Sequence, residues 1–457
     1  MRLPDVQRGK AHLQKPEFDR SRYPHAGYAW YVVAVLLAAY ILAFVDRDVI
    51  SLLVQPIRAD LGISDLQMSF LLGGAFALFY TFFGMPIAWL ADRWNRRLII
   101  FFGVTLWSVA TVLCGMAGGY WSLFAARVGV GVGEAALNPP ALSLLKDYFP
   151  PDRLGRAVGV YTAGISAGMG VGSFLAATIY PAISAHGPYL LPVFGTVSPW
   201  QYMFILVGLP GFLVALMILT IREPSRRVYA TTFERVSLWQ SIAYVGQRRS
   251  TYGLLFIGLS AMAITNYGVG YWIPEFLRRT YELDIPTMAW YLQVRGVVLI
   301  VAGVVGVLFG GWLSDTLNRR YDDGYVRTAM IGYAFLFVGY VGIPLMPTPG
   351  LSMAMLVPAT IGGAIATVGG VASVLAVAPP NMRAQLTAMY YFTLNLIGLM
   401  LGPTMVALLT DRVFRSDDSL YLSLVIVAGA SVAGGTWLLW RARGHYGASM
   451  REARSWQ

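Results

Sequence analysis

Residues 88–97 read AWLADRWNRR and residues 311–320 read GWLSDTLNRR. Six of the ten positions are identical: Trp89/Trp312, Leu90/Leu313, Asp92/Asp315, Asn95/Asn318, Arg96/Arg319 and Arg97/Arg320. Each copy follows one long apolar run and precedes another. A repeat at about half the chain length, set among apolar runs, implies two similar halves in a membrane, the construction of duplicated secondary transporters.

Composition agrees. Of the 457 residues, 57% are hydrophobic and 12% charged, with mean hydropathy +0.59. A soluble chain carries roughly twice that share of charge, about 25%. The 49 glycines suit helices packed through small side chains. The lone cysteine, Cys114, lies in an apolar run and rules out an intrachain disulfide.

Apolar runs of about 20 residues can cross a bilayer. They fall at 30–55, 66–90, 97–118, 121–145, 156–181, 200–221, 252–277, 289–313, 327–346, 351–377, 384–410 and 418–441. The expected fold class is an all-α integral membrane protein, with twelve transmembrane helices in two pseudo-symmetric six-helix bundles. The expected division is a tail at 1–27, a bundle at 28–222, a linker at 223–250, a second bundle at 251–441 and a tail at 442–457. The tails, the linker and the alternate loops on their side hold 26 of the 34 Lys and Arg residues. The opposite loops hold five: Arg58, Arg278, Arg279, Arg412 and Arg415. Basic loops stay cytoplasmic, so both termini are expected inside, in a bacterial inner (plasma) membrane. This distribution accounts for the net charge of +11 without a nucleic-acid partner.

The twelve runs, the two halves and the charged motif after the second and eighth runs resemble the major facilitator superfamily. The family's loop signature is G-x-x-x-D-R-x-G-R-K/R-R; here Ala88, Asn95 and Asn318 depart from it. Within the family, FVDRDVIS at 44–51, RVGVGVGEAALNPP at 127–140 and FPPDRLGRAVGVY at 149–161 are similar to the Spinster branch. That resemblance implies proton-linked movement of lysophospholipids or sphingoid phosphates. It also implies that the repeated motif helps to hold an inner gate shut, with Asp92, Arg93, Arg96, Asp315 and Arg319 as candidates.

Asp46, Arg47 and Asp48 in the first run and Arg127 and Glu134 in the fourth place five charges inside the membrane. Each costs roughly 2.5–3.5 kcal/mol near the bilayer centre and is functional by default. Arg127 and Glu134 are seven residues apart, so they share a helix face about 10.5 Å apart along the axis. Asp46 is expected at the height of Arg127, paired with it. Asp46 and Glu134 are then proton carriers, with Arg127 as their switch or an anion anchor, and Arg47 faces another partner. Asp48, nearer the outer end, is expected to be solvated. The plain alternative, a static ion-pair network, is a poor stability device because desolvation offsets the attraction. The four histidines, His12, His25, His186 and His445, lie outside the runs, so a proton path must use carboxylates.

The second half offers Asn266, Tyr267, Arg295 and Asn395, which join Arg127 and Glu134 as candidate substrate contacts. A charged first half facing an aromatic second half suits an amphiphile. The expected activity is proton-coupled, alternating-access transport of an amphipathic lipid by a monomer, with no cofactor, no metal and no enzymatic chemistry. The runner-up is proton symport of a small organic anion, such as a carboxylate or sugar acid. A remote rival is an intramembrane serine hydrolase, from the G-x-S-x-G match at 164–168. It lacks a histidine base at the depth of Ser166. Pro139 and Pro140 should kink the fourth helix, and Gly164, Gly168, Gly170 and Gly172 should let the fifth pack closely.

Overall fold

A computed structural model describes residues 23–192, 195–225, 237–379 and 381–454. Residues 1–22 of the expected tail and 226–236 of the expected linker lie outside these. The first half opens with α1 (Ala26–Leu52), started by His25, whose Nδ1 accepts from the Gly27 amide at 3.3 Å. A short α2 (Val54–Leu61) ends at Gly62, whose φ of 63° suits glycine. The second crossing combines α3 (Asp65–Ser69), a π-helical turn (Phe70–Gly74) and α4 (Ala75–Ala91). Then come α5 (Arg96–Cys114), α6 (Tyr120–Ala135), α7 (Asn138–Tyr148), α8 (Pro151–Ser184) and α9 (Pro199–Leu219). Between α8 and α9, β1 (Tyr189–Leu191) and β2 (Gly195–Val197) pair antiparallel, Tyr189 opposite Val197.

The second half holds α11 (Arg249–Tyr281), α12 (Ile285–Asn318), α13 (Gly324–Gly342), α14 (Pro349–Val377), α15 (Arg383–Leu408) and α16 (Leu420–Arg454). A π-helical turn (Leu409–Phe414) extends α15. The expected linker contains a helix of its own, α10 (Leu238–Gln247).

Eleven stretches of the described residues are long and apolar enough to cross a membrane. The twelfth crossing is α6 with α7. It breaks rather than kinks: α7 restarts at Asn138 with Pro139 and Pro140 in its first turn, where a missing N–H costs least.

The expected C-terminal tail is helical as far as Arg454. Acidic residues before α13 hold it. Arg443 Nε meets Asp323 Oδ2 at 2.5 Å, Arg454 meets Asp322 at 2.8 Å, and Arg451 meets Asp322 at 3.2 Å. Burial works against the charge of Asp323. Hydrogen bonds from Arg443 and Arg327 outweigh it and keep the carboxyl below its usual range.

Large apolar side chains cover the outside of the bundle, among them Leu213, Leu308, Val338 and Trp440. Trp89 and Trp312, equivalent in the repeat, are both exposed. The halves meet chiefly where α8 packs on α12 and where the second crossing packs on α15. Both contacts need glycine. A Cβ on Gly296 would stand 2.5 Å from the Gly170 carbonyl oxygen, and one on Gly73 would fall onto the Leu399 carbonyl. Gly168 lies as tightly against Phe44 within the first half.

Candidate functional site

Asp46, Arg47, Asp48, Arg127 and Glu134 of the first half and Arg295 of the second are all buried. Arg47 of α1 is the centre. Its Nε donates to Glu134 Oε2 at 2.7 Å and its Nη2 approaches the same oxygen at 2.5 Å. Three rings surround the guanidinium carbon: Phe76 at 4.4 Å, Phe44 at 4.7 Å and Tyr80 at 4.8 Å. Such contacts favour the cation most where water is excluded. Tyr267 and Tyr271 of α11 bring the second half within electrostatic reach of Arg47.

This differs from the expected pairing. Asp46 does not bind Arg127; its Oδ2 accepts from Thr111 Oγ1 of α5 at 2.6 Å. Residues 46 and 47 point about 100° apart on a helix, so Arg47 takes the face toward Glu134 while Asp46 turns to α5. Arg127 donates from Nε to the carbonyl of Leu71, within the π-helical turn, at 3.3 Å. Asp46 Oδ1, Glu134 Oε1 and Arg127 Nη1 are buried and have no hydrogen-bond partner among the described residues. The cluster thus holds unmet acceptors and an unmet donor, the capacity to take a proton or an anionic group.

Asp48 corrects a second expectation. It is 1% exposed, not solvated. Its two oxygens receive Arg295 Nη1 and Nη2 from α12, both at 3.0 Å. Ser173 Oγ of α8 lies 2.8 Å from Arg295 Nη1 and donates to the Leu292 carbonyl at 3.0 Å. Arg295 therefore joins the halves here rather than standing open to a substrate. Asn266, Tyr267 and Asn395 are half-buried. Ser166, from the G-x-S-x-G match, sits half-buried on α8 against Gly303 of α12, a helix-packing position.

The end away from the termini is sealed by charges that sequence reading left in loops. Arg279 at the end of α11 grips Asp65 with two bonds, 2.7 and 2.8 Å, and Glu275 at 2.5 Å. Arg58 reaches Asp65 and Asp417, both at 3.1 Å. Arg278 meets Gln55, and the Leu66 amide donates to Asp411. Asp65 and Arg279 are buried. Their available signal was charge flanking apolar runs on both sides of the linker, which gives no pairing.

The repeated motif occupies the other end, and its copies behave differently. Arg96 is buried. It binds Asp147 at 2.5 Å and the Ser143 hydroxyl at 3.0 Å in its own half, and Glu223 at the start of the linker at 2.7 Å. Asn95 explains one departure from the signature: its side chain accepts from the Leu98 amide and starts α5. Arg93 lies over Trp89. Asp92, Asp315 and Arg319 are exposed and make no ion pair among the described residues. Among the described residues, none of the five gate candidates forms a hydrogen bond or ion pair with the opposite half.

Two six-crossing halves, joined by charges at one end and enclosing a buried ionic cluster, define a secondary membrane transporter. The chain belongs to the major facilitator superfamily, whose family profile matches residues 36–403. It resembles the Spinster branch of that family. It is 26% identical over 416 residues to protein spinster homolog 1 of Homo sapiens, across 86% of this chain and 75% of that one. It is similar, with a TM-score of 0.75 and 26% identity, to the crystal structure of a bacterial homolog to the human lysosomal transporter Spinster in an inward-facing and unoccupied conformation. That match covers 95% of this chain and 99% of the other. It is also 26% identical over 301 residues to a probable L-galactonate transporter of Escherichia coli (strain K12). There the match takes in 62% of this chain and only 61% of that protein's length.

Proposed function

We propose that this chain is a proton-coupled, alternating-access transporter of an amphipathic lipid, such as a lysophospholipid or sphingoid phosphate. The observation that carries the reading is the buried Arg47–Glu134 pair between aromatic rings, beside unmet polar atoms on Asp46, Glu134 and Arg127. A proton on Glu134 cancels the charge that holds Arg47. The freed guanidinium can then turn to an anionic headgroup, while Tyr267 and Tyr271 of α11, the second-half rings near Arg47, offer an apolar wall to the chain. The likeness to Spinster proteins over most of the chain supports the same substrate class.

The 26-to-five placement of basic residues supports cytoplasmic termini in a plasma membrane. The sealed end is then the outer one, the arrangement expected of an inward-facing conformation. The motif residues Asp92, Arg93, Arg96, Asp315 and Arg319 would regroup when the inner end closes. The protein is proposed to work as a monomer.

A second reading, proton symport of a small organic anion, is favoured by the unpartnered Arg127 Nη1 and by the likeness to a probable L-galactonate transporter. Flux of labelled lysophospholipid and of labelled galactonate into proteoliposomes, with and without a pH gradient, separates them. Gradient-dependent lipid flux alone supports the first reading. Galactonate flux alone, from folded protein, replaces it with the second.

A further inference from the structure

We propose that α10 is an in-plane membrane helix: its Leu238, Trp239 and Ile242 side chains enter the headgroup–acyl boundary on the terminal side and dock the second half onto that leaflet. Among the described residues, the helix is held on one face. Ser241 is buried and donates to Gln385 at the start of α15, and the Tyr244 ring packs 5.7 Å from that of Tyr252 in α11. At 100° per residue, Leu238, Ile242, Trp239 and Ala243 fall within an arc of about 140° beside that face. This arc is bare: Trp239 is 78% exposed, Leu238 44% and Ile242 40%. The polar Gln240 and Gln247 take the remaining sector and are exposed too. One sector thus meets protein, one is apolar and uncovered, and one is polar. A helix confined to water has no use for the second; a helix lying in a bilayer interface needs all three.

Chain continuity sets the depth. After Gln247 only Arg248 intervenes before α11, the membrane-crossing helix that begins at Arg249. The apolar arc therefore stands where a bilayer's polar zone begins. Arg248 at that junction pairs with Glu452 at 2.6 Å, and the exposed Arg249 beside it complements anionic headgroups. Trp239 is the residue type that interfaces favour, an apolar body with one polar N–H. The capping box formed by Ser237 and Gln240 starts the helix without help from a neighbour, so its bare face does not prevent folding.

Nitroxide labels at Trp239→Cys, Ile242→Cys and Gln247→Cys, in a Cys114→Ala background, test this. The full chain is reconstituted in vesicles of phosphatidylcholine and phosphatidylglycerol, and collisions with oxygen and with a water-soluble nickel chelate are measured. Labels at 239 and 242 should favour oxygen, and the label at 247 should favour nickel. All three positions sit on exposed faces, so the variants fold, which is checked by monodisperse elution. Equal nickel access at 239 and 247 would overturn the proposal. So would spin–spin broadening at 239 that disappears on dilution with unlabelled protein, since a second copy would then cover the face.

Discussion

Residue 134 concentrates the chemistry of the site. Glu134 Oε2 satisfies Arg47 and, among the described residues, Glu134 Oε1 satisfies nothing, so the carboxylate is held through one oxygen and open to a proton on the other. Glu134→Gln should abolish uphill accumulation of substrate under a pH gradient while leaving counterflow exchange at equal pH. Loss of both activities from folded protein would make Glu134 a structural residue instead. Arg47→Lys should be nearly as harmful as removal. Lysine keeps the charge but lacks the planar fork that lies among three rings and reaches Glu134 through two nitrogens. Flux at the parental rate in Arg47→Lys would show that charge alone suffices.

Individual elements store the protein's mobility in their contacts. Helices α8 and α12 cross at Gly170 and Gly296, where a side chain has no room. Gly296→Leu should wedge the halves apart at the end away from the termini. Spin labels at Ala59→Cys and Asp418→Cys should then report a longer distance than in the parent; an unchanged distance would mean that the crossing can repack. The clasp between α16 and the turn before α13 has its own pH dependence. Arg443 and Arg327 hold Asp323 below the ordinary aspartate value. The stabilisation is therefore present above that ordinary value, about 3.9, and is lost as pH falls through the lower folded value. Asp323→Asn should melt at a lower temperature than the parent at neutral pH, and the gap should narrow on acidification below about pH 4. A gap that stays constant with pH would exclude the charged clasp as its origin.

At the scale of the whole molecule, cross-half charges gather at one end and the repeated motif stands apart at the other. Asp48–Arg295 and the Arg279–Asp65 layer act as two locks in series on the same side. Removing one partner of a buried pair costs about 3–5 kcal/mol, because the other charge stays buried. Asp48→Asn should thus shift the balance between end-closed and end-open forms by roughly two powers of ten or more toward the form that frees Arg295. The same pair of labels at 59 and 418 measures this, and Asp48→Asn combined with Arg295→Leu should restore part of the closed population. A double variant no more closed than the single would show that the pair is not the lock.

Much of this was legible in the chain itself. Apolar runs about 20 residues long have one way to satisfy their backbones in lipid, as helices, and a repeated loop half a chain apart implies two halves. The buried charges were legible too, since each is too costly to keep without a use. Sequence could not assign partners among them. Asp46, Arg47 and Asp48 are consecutive, yet they face Thr111, Glu134 and Arg295 on three different helices. A 100° step separates neighbouring faces of a helix, and which neighbour occupies each face depends on helix rotation and crossing. The two copies of the repeat carry the same lesson: Arg96 is buried and bound, Arg319 exposed. Local sequence determined that membrane helices form and which charges they carry; tertiary packing alone decided which charges meet, because ion pairs depend on distances between helices that no single helix contains.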